Sequence, residues 1–177
     1  MRISHSSRDR PPLASNQTAV ARASNRPIPQ TRWLVCSVGS RRCALSIADV
    51  IETLRPLPVE HIAGAPPFVL GVAIVRGAPV PVVDAAGLVG AEQAEVRRFV
   101  SLRCGDRRVA LAVDSVIGVS ELPDGALQDA ASLLGSATPE VVGAIGALSS
   151  RLLMVLESAR LVPDSVWHLL ARERAPS

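Results

Sequence analysis

A twelve-residue pattern occurs twice in this chain and limits its possible folds more than any other feature. Gly39-Ser40-Arg41-Arg42-Cys43-Ala44-Leu45-Ser46-Ile47-Ala48-Asp49-Val50 aligns without a gap on Gly105-Asp106-Arg107-Arg108-Val109-Ala110-Leu111-Ala112-Val113-Asp114-Ser115-Val116. Six of the twelve positions are identical: Gly39/Gly105, Arg41/Arg107, Arg42/Arg108, Ala44/Ala110, Leu45/Leu111 and Val50/Val116. The echo continues downstream, where Gly71 corresponds to Gly143, Val82-Val83-Asp84 to Val155-Leu156-Glu157, and Leu88 to Leu161. Two copies are too few for a solenoid, so the pattern points to a pair of like lobes packed together.

Each copy reads as β-structure. Trp33–Val38 and Arg41–Ile47 flank Gly39-Ser40, and two residues with Gly first suit a type II′ hairpin. That register pairs Val38 with Arg41 and Cys36 with Cys43, and puts both cysteines on one face with Leu34, Leu45 and Ile47. A third strand comes next, Val50–Leu54 in the first copy and Val116–Leu122 in the second. After an irregular link a second strand pair ends each copy, Gly71–Asp84 and Gly143–Glu157. Five short strands per copy, punctuated by Gly and Pro, suit a small closed barrel, which also removes exposed sheet edges. A short helix fits after each lobe, at Ala85–Leu88 and at Pro163–Arg172. In the latter Val166, Leu169 and Leu170 form an apolar stripe.

The stretch Gly71–Asp84 has an unusual centre. Val72–Val75 is apolar, Arg76 is charged, Gly77-Ala78-Pro79 is a turn signal, and Val80–Val83 runs into Asp84. An arginine between an apolar strand and a tight turn needs an acceptor or water for its guanidinium. In its plainest role Arg76 snorkels to solvent at a strand end.

Composition narrows the function classes. Hydrophobic residues make up 48% of the 177-residue chain, but aromatics only 2%, so the core is built from Val, Leu, Ile and Ala. All 19 basic residues are arginines. Residues 1–30 hold five arginines against one aspartate, and the remainder holds fourteen arginines against fifteen acids. The basic character therefore belongs to the first 30 residues, which lack any apolar period and read as a disordered tail. The near-neutral remainder argues against nucleic acid as a partner. No apolar run is long enough to span a bilayer, and the chain reads as cytoplasmic. Three cysteines without metal-ligand spacing give neither a zinc site nor a disulfide framework, so no cofactor is expected.

Taken together, these pieces resemble the bacterial chemotaxis coupling family CheW and the CheW-like domain at the end of the kinase CheA. The matching residues are the opening hairpin, Ala48-Asp49-Val50-Ile51-Glu52-Thr53-Leu54, Ala65-Pro66-Pro67-Phe68-Val69-Leu70-Gly71-Val72, Arg76-Gly77, Pro81-Val82-Val83-Asp84, Val109–Val119 and Gly143–Val162. The likeness covers about residues 31–170. It implies a mostly β fold of two pseudo-symmetric, five-stranded SH3-like β-barrel lobes with short helices and a C-terminal helix. A CheW-like domain would span 31–172. Lobe one would lie at about 31–90, plus contacts from the C-terminal helix, and lobe two at about 96–162. There are two departures. Ile74 stands where the family motif Gly-Val-x-Asn-Leu-Arg-Gly has Asn, which implies different hydrogen bonding near Arg76. Cys36 and Cys43 stand where relatives often carry aromatics, which implies thinner core packing.

The resemblance implies a non-catalytic adaptor that couples the cytoplasmic tips of methyl-accepting chemotaxis receptors to the histidine kinase CheA. Its partners would be the receptors and CheA's CheW-like regulatory domain, at membrane-associated arrays, with no membrane insertion of its own. The receptor-binding positions that match are Val50, Glu52, Gly71 and Arg76. Val50 would supply apolar groove surface, and Glu52 or Arg76 polar anchors for a helical tip. Without the resemblance, Glu52 and Arg76 would be an ordinary surface ion pair.

The other polar residues have plainer readings. Asp84 and Glu157 are equivalent acids, each capping the helix or turn after its strand, rather than a glycosidase pair. Asp49 and Asp114 are turn residues after strands. His5, His61 and His168 show no triad-like arrangement. Cys36 and Cys43 match the apolar pair Leu102 and Val109, so they read as two buried thiols rather than a bridge. The alternative class is a nucleic-acid-binding small barrel using Arg41-Arg42 and Arg107-Arg108. That class lacks its aromatic platform here, since Phe68 and Phe99 are isolated.

Overall fold

The computed structural model describes residues 31–93, 95–123, 125–135 and 139–173. The tail read in residues 1–30 lies outside the described residues. Strands dominate: β1 (Thr31–Val38), β2 (Arg41–Ser46), β3 (Val50–Leu54), β4 (Val69–Val75), β5 (Ala78–Asp84), β6 (Arg98–Cys104), β7 (Arg107–Val113), β8 (Ser115–Leu122), β9 (Leu127–Asp129), β10 (Val142–Leu148) and β11 (Arg151–Leu156). Among the described residues there are also three α-helices, α1 (Ala85–Val89), α2 (Ala130–Leu134) and α3 (Asp164–Glu173), and a 3-10 turn at Ser158–Arg160. The opening hairpin has the expected register, with Val38 opposite Arg41 and Cys36 opposite Cys43. Its turn starts on Gly39 at φ 55°, a left-handed value that glycine adopts without steric cost.

The strands form two sheets with the orders β8-β1-β2-β11-β10-β9 and β3-β6-β7-β5-β4. Exchanging the copies converts one order into the other, except for β9. That difference is small, because β9 pairs Gln128 with Ile145, and the same place in the other sheet is held by the isolated bridge between Glu60 and Val72. The sheets are thus pseudo-symmetric, but each mixes both copies. The hairpin β1-β2 is hydrogen-bonded to β8 and β11, and the hairpin β6-β7 to β3 and β5. A contiguous reading of the lobes places each hairpin with the strands after it in the chain, whereas the ladders place it in the sheet of the other copy. Side-chain periodicity shows which face of a strand is apolar but not which strand will pair with it.

The ladders also refine the repeat. Val82 lies beside Ala110 and Val83 beside Leu111, as Val155 lies beside Ala44 and Leu156 beside Leu45. The match of Val82-Val83 to Val155-Leu156 therefore holds in space. Gly71 faces Val82 while Ala144 faces Val155, so the partner of Gly71 is Ala144 rather than Gly143. A one-residue bulge precedes each, and Leu70 and Gly143 are the bulged residues. The turn between β4 and β5 is Arg76-Gly77, not Gly77-Ala78-Pro79, and β5 begins at Ala78.

Each sheet has a buried cluster on both of its faces. One face of the five-stranded sheet encloses Ala73, Val75, Val80, Val82, Phe99, Ala110 and Ala112, and the matching face of the other sheet encloses Val35, Ala44, Leu122, Leu153 and Val155. The opposite faces meet in a shared central core that includes Leu34, Cys36, Cys43, Leu45, Leu102, Val109, Leu111 and Leu161. Val166 of α3 is fully buried in that core, while Trp167 and Leu170 pack at its edge. The repeated arginines join the lobes. Arg41 at the tip of one hairpin donates to the carbonyl oxygen of Val89 in α1 at 2.6 Å, and Arg107 of the other hairpin lies 4.9 Å from the centre of the Trp167 ring. Each of these contacts runs from a hairpin of one sheet to the helix that succeeds the other sheet.

Candidate partner-binding surface

The four residues singled out from the sequence lie on one sheet but play different parts. Arg76 and Gly77 form a two-residue turn with φ values of 52° and 79°. Positive φ at both central residues is the signature of a type I′ hairpin turn. The equivalent turn in the other sheet, Ser149-Ser150, has φ values of 51° and 60°. The turn geometry is therefore common to both lobes, and the arginine is not. From this turn Arg76 reaches Glu52 of β3 with two hydrogen bonds, Nε to Oε1 at 3.2 Å and Nη2 to Oε2 at 2.7 Å. Strands β3 and β4 are the two ends of the five-stranded order, so this fork joins opposite ends of a curled sheet.

Glu52 is directed there by a β-bulge. Val50 pairs with Leu102 and Glu52 with Ser101, which leaves Ile51 as the extra residue. The bulge puts Val50 on the side of the shared core and Glu52 on the opposite face. The hydrogen bonds from Arg76 hold the Glu52 carboxyl below its usual range, and Glu52 in turn raises Arg76. The Arg76 side chain is 73% exposed and that of Glu52 24%, so it is the arginine side of the pair that is open to solvent and to a partner.

Val50 is half-buried and packs against the shared core. Gly71 is buried in β4 at φ 142°, and a Cβ there would collide with the carbonyl oxygen of Glu60. Gly71 is therefore needed by the Glu60–Val72 bridge and presents no side chain to a partner. Ile74, in the Asn position of the motif, is 61% exposed and takes no part in the Arg76–Glu52 bonds. The pair forms without the Asn.

The remaining acids divide. Asp84 caps α1, accepting from Ala86 N at 3.1 Å and Gly87 N at 3.2 Å. Glu157 makes no such cap and instead binds Arg160 at 2.9 Å. Asp114, at the bend between β7 and β8, accepts from Gly39 N at 2.6 Å, and Asp49 accepts from Ser158 Oγ at 2.7 Å. Among the described residues, no cluster of His, Cys, Asp or Glu could hold a metal ion. Nor is any helix there long and apolar enough to cross a membrane.

The sheet order, the swapped hairpins and the bulged third strand can be compared with known proteins. The model of the CheW-like domain matches residues 32–166. The chain belongs to the CheW-like family. Within that family it is 27% identical over 141 residues to the chemotaxis protein CheW of Klebsiella aerogenes, covering 78% of this chain and 85% of that one. It is 28% identical over 141 residues to the CheW of Rhizobium meliloti, covering 78% of this chain and 88% of the relative. The crystal structure of the scaffolding protein TtCheW from Thermoanaerobacter tengcongensis superposes with a TM-score of 0.65 at 19% identity, covering 72% of this chain and 89% of that one. That likeness concerns the two-lobed fold, which is the fold expected from the repeat.

Proposed function

We propose that this CheW-like chain is a non-catalytic coupler that links the cytoplasmic tips of chemoreceptors to the histidine kinase CheA. It would work in the cytoplasm, at membrane-associated arrays. The observation that carries the reading is the Arg76–Glu52 fork. It occupies a turn whose twin, Ser149-Ser150, has the same backbone and no arginine. The fold builds the turn either way, so the arginine serves something that only one lobe does. Val50 anchors β3 to the shared core on the face opposite Glu52, and Gly71 keeps β4 in place. The test is co-sedimentation of the purified chain with receptor cytoplasmic fragments and CheA. Both are expected in the pellet with the wild-type chain, and Arg76→Ala or Glu52→Ala should weaken one of these contacts while the domain stays folded. Retention of neither partner by the wild-type chain would sink the proposal.

A further inference from the structure

The Arg76–Glu52 fork has further charged neighbours, one of them, Arg108, within the repeated pattern. Glu52 pairs with Ser101 of β6, and Ser101 with Ala110 of β7. Residues two apart on a strand share a face, so Arg103 and Arg108 lie on the face that carries Glu52. They are also direct cross-strand partners. Like charges directly opposite each other destabilise a sheet. Neither arginine is in an ion pair or a side-chain hydrogen bond among the described residues, and both are exposed. The twin sheet has Ser37 opposite Arg42 at the equivalent place and so avoids the repulsion. With Arg76 that makes three arginines against Glu52 and Asp106 of the nearby turn, an excess of cations.

We infer that the exposed end of this face, beyond the buried Ser101 and Ala110, is a cationic docking surface for an acidic protein segment, with Arg103 and Arg108 as contact residues beside Arg76. The inference rests on the coupler reading for its biological setting, but its chemistry is independent of that reading. A carboxylate-bearing segment supplies what the Arg103–Arg108 pair lacks, and guanidinium forks match carboxylates in geometry as well as charge. The field of Arg108 already acts on Glu52, which ties Arg108 to the fork. Single-stranded nucleic acid fits less well, because such sites add aromatic stacking to their cations. The aromatic residue on β6, Phe99, is buried at 2% exposure in the core of its own sheet.

The experiment titrates the full chain with short poly-L-glutamate and, separately, with a receptor cytoplasmic fragment, at low and at physiological salt. The double variant Arg103→Ala/Arg108→Ala is expected to lower affinity for poly-L-glutamate by about five-fold or more and to flatten the salt dependence. Arg42→Ala, the equivalent position in the twin sheet, should stay within about two-fold of wild type. Equal losses in the double variant and in Arg42→Ala would overturn the inference, since they would report general charge rather than this surface. Binding of an RNA oligonucleotide through Arg103 and Arg108 without binding of poly-L-glutamate would also overturn it. If the wild-type chain retains the receptor fragment and the double variant retains it equally, the docking surface fails and the coupler reading stands. If the wild-type chain retains no receptor or kinase but the poly-L-glutamate result holds, the coupler reading fails and the surface stands.

Discussion

Arg76 and Glu52 are joined by two hydrogen bonds, at 3.2 and 2.7 Å, between opposite ends of the five-stranded sheet. The fork is exposed, so its stabilising effect on the fold is small. Glu52→Ala and Arg76→Ala should both leave the thermal midpoint nearly unchanged while weakening retention of a partner several-fold. The pair also has a pH signature. Bonding to Arg76 keeps the Glu52 carboxyl below the ordinary glutamate value of 4.5, so the fork is intact above that value and is lost only as pH falls through the lowered one. A carboxyl titration followed by NMR should place Glu52 below 4.5 in the wild-type chain and return it upward in Arg76→Ala. An unchanged Glu52 midpoint in the variant would mean that the fork does not form in solution.

Gly71 and Gly77 lie six residues apart and make opposite demands. At Gly71 the backbone has φ 142° and a Cβ would collide with the Glu60 carbonyl oxygen, whereas at Gly77 the φ is 79° and nothing lies within 4 Å of an added Cβ. Gly71→Ala is expected to cost about 2–4 kcal/mol, because both the backbone strain and the collision must be relieved. Gly77→Ala should cost about 1 kcal/mol, from the left-handed backbone alone. Urea unfolding of both variants tests the order. A Gly71→Ala chain as stable as Gly77→Ala would mean that the Glu60–Val72 bridge is not held in solution.

These two glycines also show what the sequence makes legible. The hairpin register around Gly39-Ser40, the short third strands and the positions of α1 and α3 come from local chemistry: turn residues, alternation and caps. The pairing of Gly71 with Ala144 does not, because a bulge shifts the register by one residue and no residue type announces it. The exchange of hairpins between sheets is equally silent. The faces of β2 and β7 are apolar in any sheet that buries both sides, and parallel neighbours are chosen by tertiary packing. At the surface, Glu52 and Arg76 are accessible through family resemblance and the repeat. Arg103 and Arg108 are visible in the sequence as arginines flanking the Gly105 turn, but only a known register makes them cross-strand partners.

Asp84 and Glu157 occupy equivalent places, and the structure gives them different work. Asp84 is 7% exposed and satisfies two amide donors at the start of α1. Asp84→Ala would leave those donors without their acceptor and should cost about 1–2 kcal/mol. The Glu157 carboxylate caps nothing and pairs with Arg160 at the surface, its stem lying against Gly143, so Glu157→Ala should cost about 0.5 kcal/mol or less. Denaturant midpoints of the two variants provide the comparison. Equal losses would show that Glu157 supports its turn in a way the 2.9 Å contact with Arg160 does not account for.

Cys36 and Cys43 face each other across the opening hairpin inside the shared core, and both are free thiols. Burial pushes each thiol up to about 12, against an ordinary value of 9.0. The first consequence concerns reactivity. Neither thiol should react with a disulfide reagent such as dithionitrobenzoate while the chain is folded. Cys104, half-buried with its thiol directed at the Ser158 carbonyl oxygen, should react first and slowly. The second consequence concerns stability. A thiol whose folded value is raised contributes its full stability below about 9 and loses it as pH rises toward about 12, since only the unfolded chain can ionise in that window. At about pH 10.5 the loss is of the order of 2 kcal/mol for each buried thiol. The double variant Cys36→Val/Cys43→Val imitates the apolar pair Leu102 and Val109 in the twin hairpin, which is also fully buried. Between about pH 8 and pH 10.5 the urea midpoint should fall steeply for the wild-type chain and much less for the variant. Parallel falls in the two proteins would place the alkaline instability elsewhere, and rapid modification of all three thiols in the folded chain would mean that the shared core opens far more readily than its packing implies.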